Sequence, residues 1–148
     1  MSWLPKQTVV VPVDFAEESV NSIRTALELV ESSSDVHGIH VMIAPDSLAP
    51  VELWREALAE PLSREQRTRR YFDEFLAEHD LAGLTASVVT GDPGLKICDY
   101  AKDKSADLIV ISSHGYRGVQ RTLLGSTAER VIRHAGCPVL VLRRTDVE

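Results

Sequence analysis

Residues 8–14, Thr8-Val9-Val10-Val11-Pro12-Val13-Asp14, set an almost unbroken β-branched run against a carboxylate. A run that apolar, without alternation, fits a strand covered on both faces, as in a parallel sheet. Four more runs resemble it: Val36 to Ile43, Ala86 to Thr90, Leu108 to Ile111, and Pro138 to Leu142. Stretches with helical spacing lie between them. In Ser19 to Glu31 the residues Val20, Ile23, Ala26, Leu27 and Val30 form one stripe; in Leu62 to His79 the inner face is marked by Phe72, Phe75, Leu76 and His79. Arg64, Arg67, Arg69 and Arg70 in the second stretch read as a solvated face.

The third helix is expected from Asp92, a capping residue followed by Pro93, with Ile97, Cys98 and Ala101 recurring on one side. A fourth is expected to be capped by Ser126, where Ser126-Thr127-Ala128-Glu129 has capping-box spacing, and to stop at Gly136 before Pro138. Repeated strand–helix alternation implies right-handed crossovers and an α/β fold: a five-stranded parallel sheet, order 3-2-1-4-5, with helices on both faces. The ligand crevice of such a sheet opens beyond the carboxyl ends of the strands where the order reverses, here between strands 1 and 4. Asp14, Val41 to Ala44, Gly91 to Gly94 and Ser112 to Gly125 fall there. Residues 44–61, punctuated by Pro45, Pro50 and Pro61, are expected to form a flap over it.

The chain has 148 residues, 44% of them hydrophobic, which suits a single domain spanning 1–148 with no disulfide or metal staple. Sixteen basic against twenty-two acidic residues give a net charge of −6, which speaks against nucleic acid or an anionic membrane as a partner. No leader or membrane-length apolar run stands in the sequence, so a soluble, cytoplasmic protein is expected. Cys98 and Cys137 lack ligand or CxxC spacing and read as small half-buried residues; the five histidines show no HxxxH or HExxH pattern, so no metal site is expected.

The segment from Ser112 to Ser126 joins a buried strand to a helix through Gly115, Gly118 and Gly125. Glycines let a backbone approach an anion, and the helix start offers unpaired N–H groups, so the segment reads as a phosphate cradle, with Arg117 and Arg121 adding local positive charge. The alternative is a plain turn with solvated arginines. Ser112, Ser113 and His114 do not make a hydrolase site, because adjacent residues at a strand exit do not aim at one atom and no Gly-x-Ser-x-Gly elbow is present. Asp14 alone lacks the acidic cluster a phosphoacceptor needs, and it could equally cap the first helix.

These residues together resemble the universal stress protein family. The resemblance rests on Val10-Val11-Pro12-Val13-Asp14-Phe15, His40-Val41, Gly91-Asp92-Pro93, Ser113-His114-Gly115, Leu123-Leu124-Gly125-Ser126 and Cys137-Pro138-Val139-Leu140-Val141. It implies a Rossmann-like fold of the adenine nucleotide alpha hydrolase-like type, frequent dimerisation and, in one branch, ATP bound through Gly-x2-Gly-x9-Gly-Ser/Thr. Gly115, nine residues, Gly125 and Ser126 match the second half of that motif; Ser112 stands where its first glycine belongs. Carried over, the resemblance places Asp14 and the Val41 backbone at the base and ribose end, Ser112 and Ser113 along the ribose, and Gly115, Gly125, Ser126 and Thr127 at the phosphates, with Pro12, Val13 and His114 in the same nucleotide-binding set. ATP or another adenine nucleotide is the implied ligand, with any Mg2+ arriving with the triphosphate. A homodimer through the last strand, Pro138 to Leu142, is the implied assembly. No residue is assignable to activating water at a γ-phosphate, so a signalling or stress-response binding module is preferred, with hydrolysis at most slow. The alternative is a family member that binds no nucleotide and acts as a dimeric interaction protein.

Overall fold

The computed structural model describes residues 2–43, 61–113 and 124–143. The elements run β1 (Val9–Pro12), α1 (Glu17–Glu28), β2 (Val36–Met42), α2 (Pro61–Glu78), β3 (Thr85–Thr90), α3 (Pro93–Asp103), β4 (Leu108–Ser112), α4 (Ser126–His134) and β5 (Val139–Leu142). All neighbouring strands are parallel, in the order β3-β2-β1-β4-β5 expected from the alternation. Within the strands, successive side chains feed opposite faces. Val9, Val11, Leu108 and Val110 meet Val20 and Ile23 of α1 and Phe72 and Phe75 of α2, while Val10, Ile39, Ile109 and Ile111 meet Ile97 of α3 and Val131 of α4. Fully burying each such side chain contributes roughly 1.5–3 kcal/mol. Two separate cores therefore hold the sheet, which explains why the strands read as continuous apolar runs.

β1 is paired unevenly, and the unevenness makes the crevice. Its register with β2 runs from Val9 to Pro12, and the Val13 N–H extends it by donating to the Ile39 carbonyl at 2.8 Å; with β4 it covers only Val9 and Val10. Main-chain groups of a strand alternate in direction, so if Val13 faces β2, Pro12 faces β4. Proline has no N–H to give there. The sheet accordingly parts between β1 and β4 at the topological switch point.

Three helix ends differ from expectation. α4 begins at Ser126 and its N-cap is Gly125 (φ −65°, ψ 154°), not Ser126, because the Glu129 N–H donates to the Gly125 carbonyl at 3.0 Å and draws Ser126 into the first turn. It ends with Ala135 as C-cap in extended backbone, so Gly136 supplies no left-handed stop. α1 likewise starts at Glu17, with Ala16 as N-cap and no side-chain cap; Asp14 does not cap it. Asp92 does cap α3, its carboxylate accepting the Leu95 N–H at 3.1 Å, with Pro93 next. Of the expected flap, residues 44–61, all but Pro61, the first residue of α2, lie outside the described residues.

Candidate functional site

Above the parting of β1 and β4 lies a cavity of about 630 Å³. Its floor and walls are apolar: Pro12 and Ile39 from the sheet, Val41 beyond them, Ile97 of α3, Ile111 of β4 and Ala128 of α4. Polar groups collect along its rim, with Asp14 after β1, Ser112 and Ser113 at the end of β4, and Gly125, Ser126 and Thr127 at the start of α4. An apolar cavity with polar groups gathered on one side accepts a ligand with an aromatic body and a hydrophilic end.

The rim is held by its own hydrogen bonds. The Ser19 hydroxyl donates to Asp14 Oδ1 at 2.6 Å and accepts the Asp14 N–H at 3.0 Å, and the same carboxylate oxygen accepts the Ala16 N–H at 3.1 Å. Asp14 is thus fixed at the cavity edge by a serine that is 2% exposed. Between them Phe15 adopts φ 66°, a left-handed conformation costly for a non-glycine residue. Its ring is seated 4.4–5.5 Å from those of His40, Tyr71, Phe72 and Phe75, which holds it there. His40 Nδ1 lies 2.7 Å from the Val13 carbonyl; a carbonyl only accepts, so the proton is on Nδ1.

On the opposite rim the Ser113 N–H donates to the Leu142 carbonyl at 2.8 Å, and the Ser113 carbonyl accepts the Gly125 N–H at 2.6 Å. The Gly125 N–H is therefore already engaged. The N–H groups of Ser126, Thr127 and Ala128 precede the first intrahelical bond, that of Glu129, and form the positive end of α4 beside the cavity. On the third side Arg64 of α2 donates to the Ile43 carbonyl at 3.1 Å, and Ile43 lines the mouth.

Of the residues expected from sequence, Pro12, Val13, Asp14, Val41, Ser112, Ser113, Gly125, Ser126 and Thr127 all line this one cavity. His114 and Gly115 lie outside the described residues, as do Arg117 and Arg121. Gly91 and Gly94 serve α3: Gly91 has φ +149° and its N–H donates to the Met42 carbonyl at 2.9 Å, whereas Pro93 is the residue that reaches the cavity. Sequence reasoning missed Ser19, Ile39, His40, Ile97, Ile111 and Ala128. The apolar ones carry the same signal as core residues, and Ser19 is hidden in a helical stripe.

Among the described residues, no group of three His, Cys, Asp or Glu side chains could hold a metal ion. Cys98 and Cys137 are half-buried and free of disulfide, and burial pushes both thiols up from their ordinary value, so both remain protonated near neutral pH. No described helix is long and apolar enough to cross a membrane.

The sequence profile of the Universal stress protein family matches residues 6–143. The chain belongs to the universal stress protein family. It is 33% identical to universal stress protein MJ0531 of Methanocaldococcus jannaschii over 142 residues, covering 95% of this chain and 84% of that one. It is 30% identical to universal stress protein G of Escherichia coli O157:H7, over 93% of this chain and 99% of that one. Among solved structures, it resembles MJ0577, a universal stress protein of M. jannaschii, with a TM-score of 0.73 at 26% identity, covering 95% and 99% of the two chains. A universal stress protein in complex with cAMP shares the fold, with a TM-score of 0.63 at 19% identity over 95% and 99% of the chains.

Proposed function

We propose that this universal stress protein is an adenine-nucleotide-binding module that takes ATP or a related adenine nucleotide, and that it works as a cytoplasmic homodimer in signalling or stress response. The observation that carries the reading is the continuity of one cavity: its apolar slot runs from Pro12, Val41 and Ile97 directly to the positive end of α4. The slot suits a purine, Asp14 and the two serines suit ribose hydroxyls, and the N–H groups of Ser126 and Thr127 suit a phosphate. Gly125 leaves space there, and His114 and Gly115 belong to the same set. A universal stress protein solved with cAMP lends the reading a precedent within the fold.

Asp14 is the one carboxylate among the described lining residues, so a divalent ion would come with the triphosphate rather than have a built cage. No described lining group is placed to activate a water for phosphoryl transfer, and binding is the function, with hydrolysis slow if it occurs. Ser112 in place of the family glycine supports the competing reading, a dimeric interaction protein without nucleotide. The test is mass spectrometry of ligand released from purified, denatured protein, followed by calorimetry with ATP, ADP, AMP and cAMP with and without Mg2+. An adenine nucleotide released, or saturable binding of one per chain, is expected. No release and no binding heat would leave the interaction protein as the function.

A further inference from the structure

Two side chains outside the cavity tie together the two helix ends that wall it. Asp92 caps α3 through Oδ2, which accepts the Leu95 N–H at 3.1 Å, while its other oxygen, Oδ1, takes Arg130 Nη1 of α4 at 2.6 Å. One carboxylate thus serves both helices. The stem of Arg130 also lies across Gly94: a Cβ added at Gly94 would come within 2.8 Å of Arg130 Cβ and 3.4 Å of its Cδ and Nε. Any side chain at 94 would push the helices apart. Directly behind this contact, Pro93 and Ile97 of α3 and Ser126, Thr127 and Ala128 of α4 line the cavity.

We propose that Asp92 and Arg130 act as a clamp, seated on Gly94, that sets the width of the slot between the first turns of α3 and α4; both are positioning residues for the nucleotide. The inference rests on the nucleotide reading for its ligand and on these contacts for its geometry. The pair is half-exposed, with side chains 44% and 41% accessible, so solvent screening leaves it little weight in overall stability. Its effect falls on the spacing of two rigid elements, and a small misplacement at a binding site is felt in affinity before it is felt in the fold.

Three variants separate the clamp from the cap. Asp92→Ser still caps α3 but is too short to reach Arg130; Arg130→Met keeps an aliphatic stem over Gly94 without the charge; the third combines them. Calorimetric ATP affinity with Mg2+, apo melting temperature, and amide hydrogen exchange over residues 94–98 and 127–131 are measured for each. Each single change is expected to weaken ATP roughly three- to tenfold, and the double change no further, because the two residues act as one unit. Melting should move by less than about 4 °C. Exchange should quicken in both first turns. Singles that bind ATP as wild type does, or losses that multiply in the double variant, would overturn the clamp. If Arg130→Met does not fold, Asp92→Ser carries the same comparison. If wild type takes no adenine nucleotide, the nucleotide reading fails by itself and exchange decides: quickening at both helix ends keeps the clamp, and unchanged exchange removes it.

Discussion

The Ser19 hydroxyl bonds twice to Asp14, donating to its carboxylate at 2.6 Å and accepting from its N–H at 3.0 Å. A single buried group therefore fixes both the backbone and the side chain of the residue at the end of β1. Ser19→Ala removes both bonds, one of them to a charged group, and should cost about 1–3 kcal/mol of stability, read by urea unfolding. ATP affinity of the folded variant should fall as well. A stability loss with unchanged affinity would take Asp14 out of the site.

The N-cap at Gly125 separates space from conformation. Its φ of −65° and ψ of 154° are open to any residue, so valine there is unstrained in backbone and acts only by filling space. Gly125→Val should fold and lose nucleotide binding in calorimetry. Ser126→Ala, at the first helical position, removes no cap and should change stability by less than about 0.5 kcal/mol. Wild-type affinity in folded Gly125→Val would move the phosphates away from α4.

Ser112 adds a Cβ and hydroxyl at the rim where the family motif has glycine. Removing them in Ser112→Gly should tighten ATP by about fivefold, near 1 kcal/mol, as one crowded contact is relieved. Titration of both proteins with ATP checks this. Absence of binding in both would favour the nucleotide-free reading.

The outer edge of β5 is where a second copy would pair. The carbonyls of Pro138 and Leu142 face β4, accepting from Ile109 and Ser113 at 3.0 and 2.8 Å, so by alternation the main-chain groups of Val139 and Val141 face outward. An edge that no described strand covers, with exposed Leu140 within it and exposed Ile132 on the neighbouring helix, invites antiparallel pairing. Light scattering should return twice the chain mass for wild type and the monomer mass for Val141→Pro, which removes an outward N–H without cutting the β4–β5 ladder. A monomeric wild type at micromolar concentration would exclude the dimer; a dimeric Val141→Pro would place it elsewhere.

The sheet was legible in the sequence because strands buried on both faces must be apolar throughout, and Val9 to Val11 and Leu108 to Ile111 are. Asp92-Pro93 marked its helix because cap and first-turn proline are local signals. The start of α4 was not local: Gly125 and Ser126 both suit an N-cap, and the choice is accompanied by a bond from the Gly125 N–H to the Ser113 carbonyl, a contact distant in sequence that no local pattern signals. Nine lining positions of the cavity, the polar rim among them, were readable, whereas Ile39, Ile97 and Ile111 look in sequence like any other core residue. What distinguishes them is Pro12, whose missing N–H ends the β1–β4 pairing and leaves those side chains facing a space.

The first strand takes its two neighbours from very different distances along the chain. Val9 pairs with Val36 on one side and Leu108 on the other, and the N–H groups of Gln7 and Thr8 are held by the two oxygens of Asp107, each at 3.0 Å. On a ribosome this central strand therefore waits, with one edge bare, until about a hundred residues more have been made; closing so long a loop is slow, and it comes late. A nascent chain arrested before residue 108 should be cut readily by protease within β1, and one released past β5 should resist. The middle of the sheet is completed only when β4 has been made, and the crevice it borders also needs the start of α4, so it exists only once most of the chain has left the machine that makes it.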